Sequence, residues 1–223
     1  MLASCTVSTE GRSATASENP QGAKSRLREL RDARVLRALA HPTRIALLEV
    51  LAVRGTLTAT EAAEAVGGNA SNASYHLRTL ASHGYVVEAE GGSGRERPWK
   101  LGSTGMTFDD DDADPTVAQA ARALSEIMAT RWSSRHQRYR QRREQYPAAV
   151  RAVTGDSQFV LFCTPDELKQ VQADILEVLL AYQHRVEEPS ARPFGALPFE
   201  LLLSTFPFEL EPAGAEDPDN PEG

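Results

Sequence analysis

The order of helix starts, stops and turns between Asp32 and Leu101 constrains this chain more than any single residue in it. Val35, Leu36 and Leu39 begin a short helix that stops near His41-Pro42. Pro42 suits the first turn of a second helix, where its missing N–H would lack a partner anyway. Ile45, Leu48 and Leu51 give that helix an apolar face, and Gly55 ends it. Thr58-Ala59-Thr60-Glu61 reads as a capping box, with Leu57 placed to staple the entry. The third helix runs to about Val66, Gly67-Gly68 makes the turn, and Asn69 caps a fourth helix with Ala73, Leu77 and Leu80 on one face. Two short helices, a glycine turn and a helix packed across them form a helix-turn-helix unit. Residues 85–90 and 97–101 then flank Gly91-Gly92-Ser93-Gly94, a hairpin signal. A hairpin directly after such a helix is a wing, with Pro98 expected at an edge.

The rest of the 223 residues divides around this unit. Residues 1–21 are rich in Ser, Thr, Ala and Gly without apolar period and read as a disordered tail. The winged unit is assigned to 22–101. Residues 102–115 carry Asp109 to Asp112 and Asp114, a charge density that repels itself and reads as a linker. Residues 116–146 read as one long helix with Val117, Ala121, Leu124, Met128 and Trp132 at spacings of three and four. This stripe is expected to dimerise the chain, together with the first helix. Residues 147–211 read as a small α/β module: a strand at 158–163, a helix opened by the Thr164-Pro165-Asp166-Glu167 capping box, and a strand near 199–205. Within that helix Leu168, Val171, Ile175, Val178 and Tyr182 keep amphipathic spacing. Residues 212–223 read as a second tail. The expected fold class is mostly α with a β-wing: an N-terminal winged helix-turn-helix, a long helix and a small C-terminal α/β module.

Charge supports a nucleic-acid partner only locally. The formal net charge is -7, yet residues 22–101 hold twelve Lys and Arg against eight Asp and Glu. Local potential governs DNA binding more than total charge does. The words Leu36-Arg37-Ala38-Leu39-Ala40-His41-Pro42-Thr43-Arg44-Ile45-Ala46-Leu47-Leu48, Ser74-Tyr75-His76-Leu77-Arg78-Thr79-Leu80 and Gly84-Tyr85-Val86 resemble the arsenic-repressor-type (ArsR-like) winged-helix regulators. The resemblance covers about 70 residues and implies a dimer on a double-stranded DNA operator. Gly68 stands where that family usually has an apolar turn residue, and Asn69 where a Ser usually caps.

A recognition helix offers its N-terminal half to base edges in the major groove. With helix 69–82 in that role and the 88–97 wing on the flanking backbone, the candidate DNA-contacting residues follow. Asn72 can bond adenine N6 and N7 together, and Ser71 and Ser74 can serve several bases or a phosphate. Tyr75 reads equally as a DNA contact or a packing residue. Arg78, one turn past Ser74, is placed for a phosphate or a guanine. Arg95 and Arg97, near the wing tip, suit backbone or minor-groove contact. Thr43 and Arg44 open the second helix, where free N–H groups favour an anion. The competing reading for the Ser and Asn residues is helix capping, and for Arg78 a solvated face. His76 is expected to make a structural hydrogen bond and His41 to help cap the helix after it.

Several other functions are disfavoured. Thiolate metal sensing needs cysteines that converge on one ion. Cys5 and Cys163 are far apart, and the third helix has none. His136 has no acid within a helical turn, and His184 with Glu187 and Glu188 reads as a solvated helix end. No metal ligand, cofactor or catalytic residue is assigned, since no phosphate loop, nucleophile elbow or zinc word is present. No apolar run spans a membrane, and two isolated cysteines suit a reducing cytoplasm. A winged helix that binds only proteins is the alternative function; it would favour an apolar, uncharged recognition helix. Phe159, Phe162, Phe194, Phe199, Phe206 and Phe208 either line a pocket for a small-molecule effector or form the core of the C-terminal module.

Overall fold

The computed structural model describes residues 27–91, 97–103 and 105–209. The fold is mostly helical, with the expected helix-turn-helix, a β-wing and a long helix. Strand β1 (Arg28–Leu30) leads into α1 (Ala33–Leu39), α2 (Pro42–Arg54), α3 (Ala59–Val66) and α4 (Ala70–Ser82). Each helix starts where its cap dictates. Asp32 accepts from the Arg34 N–H at 2.8 Å, and the His41 ring accepts from the Thr43 N–H through Nδ1 at 3.2 Å. Thr58 and Glu61 form the reciprocal capping box, and Asn69 Oδ1 accepts from the Asn72 N–H at 2.8 Å. Gly67 sits at φ 72°, the left-handed conformation that turns the chain from α3 towards α4.

The wing pairs β2 (Val86–Glu88) with β3 (Trp99–Leu101) antiparallel, Val86 opposite Leu101. Leu57 bridges to Trp99 from the other side and ties the entry to α3 to the wing. A second small sheet pairs β1 in parallel with β4 (Met106–Phe108). Residues 102–115 are therefore not wholly a linker, because the apolar Met106 and Phe108 find β1 before the aspartate run begins. Gly102 belongs to this packing too: its N–H donates to the Tyr85 carbonyl at 2.9 Å, and an added Cβ would lie 2.7 Å from the Gly84 carbonyl oxygen. Arg28 closes the arrangement. It donates to the His83 carbonyl at the C-terminal end of α4 at 2.6 Å and lies over the Tyr85 ring.

Helix α5 (Pro115–Arg142) follows, about 42 Å long at 1.5 Å per residue. Val117, Ala120, Ala121 and Leu124 are buried in the same core as Leu36, Leu39, Leu51, Leu77 and Leu80. The main packing partner of α5 is α1. The first half of the stripe expected to face a second copy is thus covered within the chain. Further along, Arg131 and Arg135 both reach Glu49 on α2, Arg135 Nη1 at 2.7 Å.

Beyond α5 the chain forms α6 (Ala148–Arg151), α7 (Pro165–Leu180) and α8 (His184–Glu187). The Thr164–Glu167 capping box opens α7 as expected. The two strands expected at 158–163 and 199–205 do not form: neither segment takes regular secondary structure or makes a main-chain hydrogen bond among the described residues. High β-propensity makes a strand only when an edge lies within reach, and neither segment meets one. The six phenylalanines do not form a core among the described residues; their exposure runs from 52% at Phe199 to 109% at Phe194. Two polar anchors hold the end of the chain to the body. Arg192 donates to the Val53 and Ala52 carbonyls at the C-terminal end of α2, at 2.7 and 3.1 Å. Glu200 accepts from Arg135 Nε and Nη2 at 2.9 and 2.5 Å.

Candidate nucleic-acid interface

Helix α4 has two chemically distinct faces. Ala73, His76, Leu77 and Leu80 are buried against the rest of the unit. That fixes the rotation of the helix and turns Ser71, Asn72, Tyr75 and Arg78 outward, with Ser74 half-buried between them. Tyr75 is 60% exposed, so packing does not account for it. Asn69 performs the capping, which leaves the side chains of Ser71 and Asn72 without hydrogen-bond partners among the described residues. Arg78 extends back along the helix and donates to Ser74 Oγ at 3.0 Å. This outward surface carries donors and acceptors over its first two turns and one cation at its centre.

An open groove runs between α4 and the wing, lined by Ser71, Ser74, Arg78, Glu88, Arg97 and Trp99, with the start of α3 (Ala59, Thr60) as its floor. The structure thus brings four of the expected residues together: Ser71, Ser74, Arg78 and Arg97. Thr43, Arg44 and Tyr75 stand on the opposite flank, where the start of α2 meets α4. Arg95 lies outside the described residues, as does the 92–96 tip of the wing. The residues that the sequence did not single out are Thr60 and Glu88. The α3 capping box placed Thr60 at a helix start, and such starts favour anions. Glu88 accepts from Arg97 at 2.6 Å. The hydrogen bond and charge of Glu88 raise the Arg97 pKa above its ordinary value, and the carboxylate offsets the Arg97 charge within the groove.

Removing that offset has a measurable consequence. Glu88→Gln is expected to strengthen DNA binding severalfold and to steepen its salt dependence, because Arg97 is then free for phosphate. The pair is exposed, so folding stability should change little. Fluorescence anisotropy over a salt series checks this, and weaker binding by the variant would contradict it.

On the other flank lies a packed cluster of rings and charge. The His41 and His76 rings are 4.5 Å apart, and Tyr75 meets His76 edge-on at 5.3 Å. His76 is buried, and its Nδ1 makes no hydrogen bond, contrary to the expectation of a structural one. The ring is held by packing instead. Arg44 is half-buried, its Nε is also unpartnered, and burial lowers its pKa, while the nearby Tyr75 works against that shift. Burial, and then the Arg44 charge, lowers the pKa of His41; burial, His41 and Arg44 lower that of His76.

Both histidines are therefore neutral in the folded chain at neutral pH, and the unfolded chain takes up protons first as pH falls. Stability from these groups is complete above the unfolded value of about 6.5 and is lost as pH falls through the lower folded values. Protonated His41 also cannot accept from Thr43. The melting temperature should fall from pH 6.5 downward, and the double variant His41→Asn, His76→Phe should flatten that fall. Calorimetry across pH 5–7.5 reads the difference; an equal slope in both proteins would remove the histidines as its cause.

Residues 39–87 match a family described as a helix-turn-helix domain. The match takes in α2, α3, α4 and the start of the wing, less than a quarter of the chain. It identifies the unit as the kind that DNA-binding regulators carry. No curated protein matches the chain. Among the described residues, no helix is long and apolar enough to cross a membrane.

Proposed function

We propose that this chain is a sequence-specific transcription regulator that binds double-stranded DNA as a dimer. In this reading α4 lies in the major groove and the wing lies on the flanking backbone. The observation that carries it is the outward face of α4, where Ser71, Asn72, Tyr75 and Arg78 are presented together while the helix-capping role falls to Asn69. Asn72 reads adenine, and Arg78 reads guanine or a phosphate. Thr43 and Arg44 hold phosphate on one flank, and Arg97 does so across the groove. The polar, cationic face of α4 disfavours a winged helix that binds only proteins. The ArsR-like resemblance supports a palindromic operator, with half-sites about one helical turn apart.

Selection of genomic fragments by the purified chain tests this reading. Enrichment of a two-fold sequence with that spacing is the expected result. Binding without sequence preference, and equally to unrelated fragments, would overturn the sequence-specific part.

A further inference from the structure

The C-terminal region is fastened to the body by polar contacts and left bare where it is apolar. Its first irregular segment, 157–163, starts beside an ion pair: His136 Nε2 on α5 lies 2.9 Å from Asp156 Oδ1. This supplies the acid that His136 lacks within its own helical turn. The second, 199–206, starts at the Arg135–Glu200 pair. Both segments therefore leave the body from adjacent residues of α5. Phe159 and Phe162 on the first are 82% and 101% exposed, and Leu201 and Phe206 on the second 65% and 72%. Val178 on helix α7 and Tyr182 in the turn after it add to the uncovered surface.

Three observations bear on what covers it. The first is area. The six phenylalanines of this region alone expose on the order of 900 Å², while one partner in a stable complex contributes about 800 Å². The second is the backbone. Among the described residues, no main-chain hydrogen bond joins 157–163 or 199–206 to any element. The third is charge. Residues 157–163 contain no charged residue, and 199–206 contain one, Glu200, whose carboxylate is taken up by Arg135, whereas free sheet edges are normally guarded by charge. Each segment carries a continuous apolar run, Phe159 to Phe162 and Leu201 to Leu203, the sequence pattern of strands buried on both faces.

A single foreign strand would satisfy one of these edges and leave the other open. A second copy related by a two-fold axis satisfies both edges in both chains with one operation. We propose that the chain dimerises through this region, residues 157–163 of each copy pairing as a β-strand with 199–206 of the other. This rests on the dimeric reading above and moves the interface from the α5 stripe to the C-terminal ledge. The β-structure expected from the sequence then forms between chains.

The test uses the full chain without DNA. Sedimentation at micromolar concentration should show a dimer. Phe162→Asp and Leu202→Asp should each weaken dimerisation at least a hundredfold with unchanged helical circular dichroism, because both residues are exposed in the single chain. Cys163 is free and exposed, which allows a direct second readout. One chain carries Cys5→Ser and keeps Cys163. The other carries Cys5→Ser, Cys163→Ser and one of Leu201→Cys, Leu203→Cys or Thr205→Cys. Mild oxidation of the mixture should link the two chains at one or more of these positions. A monomer would overturn the proposal, as would a dimer that links at none of the three or Asp variants that remain dimeric. A linked dimer supports it whether or not that dimer binds DNA, and a monomer that binds DNA overturns this pairing alone.

Discussion

Arg78→Ala is expected to weaken binding to a selected DNA site ten- to a hundredfold while leaving the melting temperature within a degree or two. Arg78 is exposed, and its hydrogen bond within the chain goes to the neighbouring Ser74 hydroxyl. Losing that bond costs the fold little, since both groups return to water. On DNA the guanidinium would leave Ser74 and meet a guanine edge or a phosphate. A good base contact is worth about 1–3 kcal/mol of discrimination, roughly five- to a hundred-and-fiftyfold, which brackets the expected loss. The two targets are separable. If Arg78 reads guanine, the loss is confined to sites that carry it; if it holds phosphate, affinity falls on every sequence and the salt slope shrinks by about one ion. Unchanged affinity in anisotropy titrations would mean that α4 does not enter the groove in this orientation.

Leu124→Ala should cost about 2–5 kcal/mol of stability. Leu124 is fully buried, yet it lies more than twenty residues beyond the wing, on α5. Its neighbours in the core include Leu36 and Leu39 of α1, which packs along α5. A loss of this size is a large share of a typical domain's 5–15 kcal/mol. The same packing predicts that a fragment ending at Leu101 unfolds without a cooperative transition, whereas one ending after α5 retains it. Denaturant titrations of the three proteins decide the matter. A cost below about 1 kcal/mol for Leu124→Ala, or a cooperative short fragment, would show that α5 is an appendage to the winged unit.

These results mark how far local signals reach. The helix-turn-helix was legible because each boundary is written in a few adjacent residues: His41-Pro42, Thr58 to Glu61, Gly67, and Asn69 as cap. Caps and glycine turns act over three or four residues and need no distant partner. The outward face of α4 was legible for the same reason, since Ala73, Leu77 and Leu80 fix its rotation. Features that depend on remote partners were not. β1 and β4 are three residues each and pair across the whole winged unit, so neither shows a period of its own. The Val117–Ala121–Leu124 stripe was visible, but its partner α1 was not, and the stripe read as an intermolecular surface. Glu88 and Arg97 become an ion pair only through the hairpin that brings their strands together. Residues 158–163 and 199–205 have the composition of strands, yet a strand also needs an edge.

Asn72 offers the most direct measurement of whether α4 reads bases. Wild-type chain and Asn72→Ala are titrated against the selected site and its single base-pair substitutions. Loss of a bidentate Asn–adenine contact should flatten the preference at one A·T pair in each half-site, leaving the other positions unchanged. If Asn72→Ala keeps the full wild-type preference at every position, α4 is not the helix that reads the DNA.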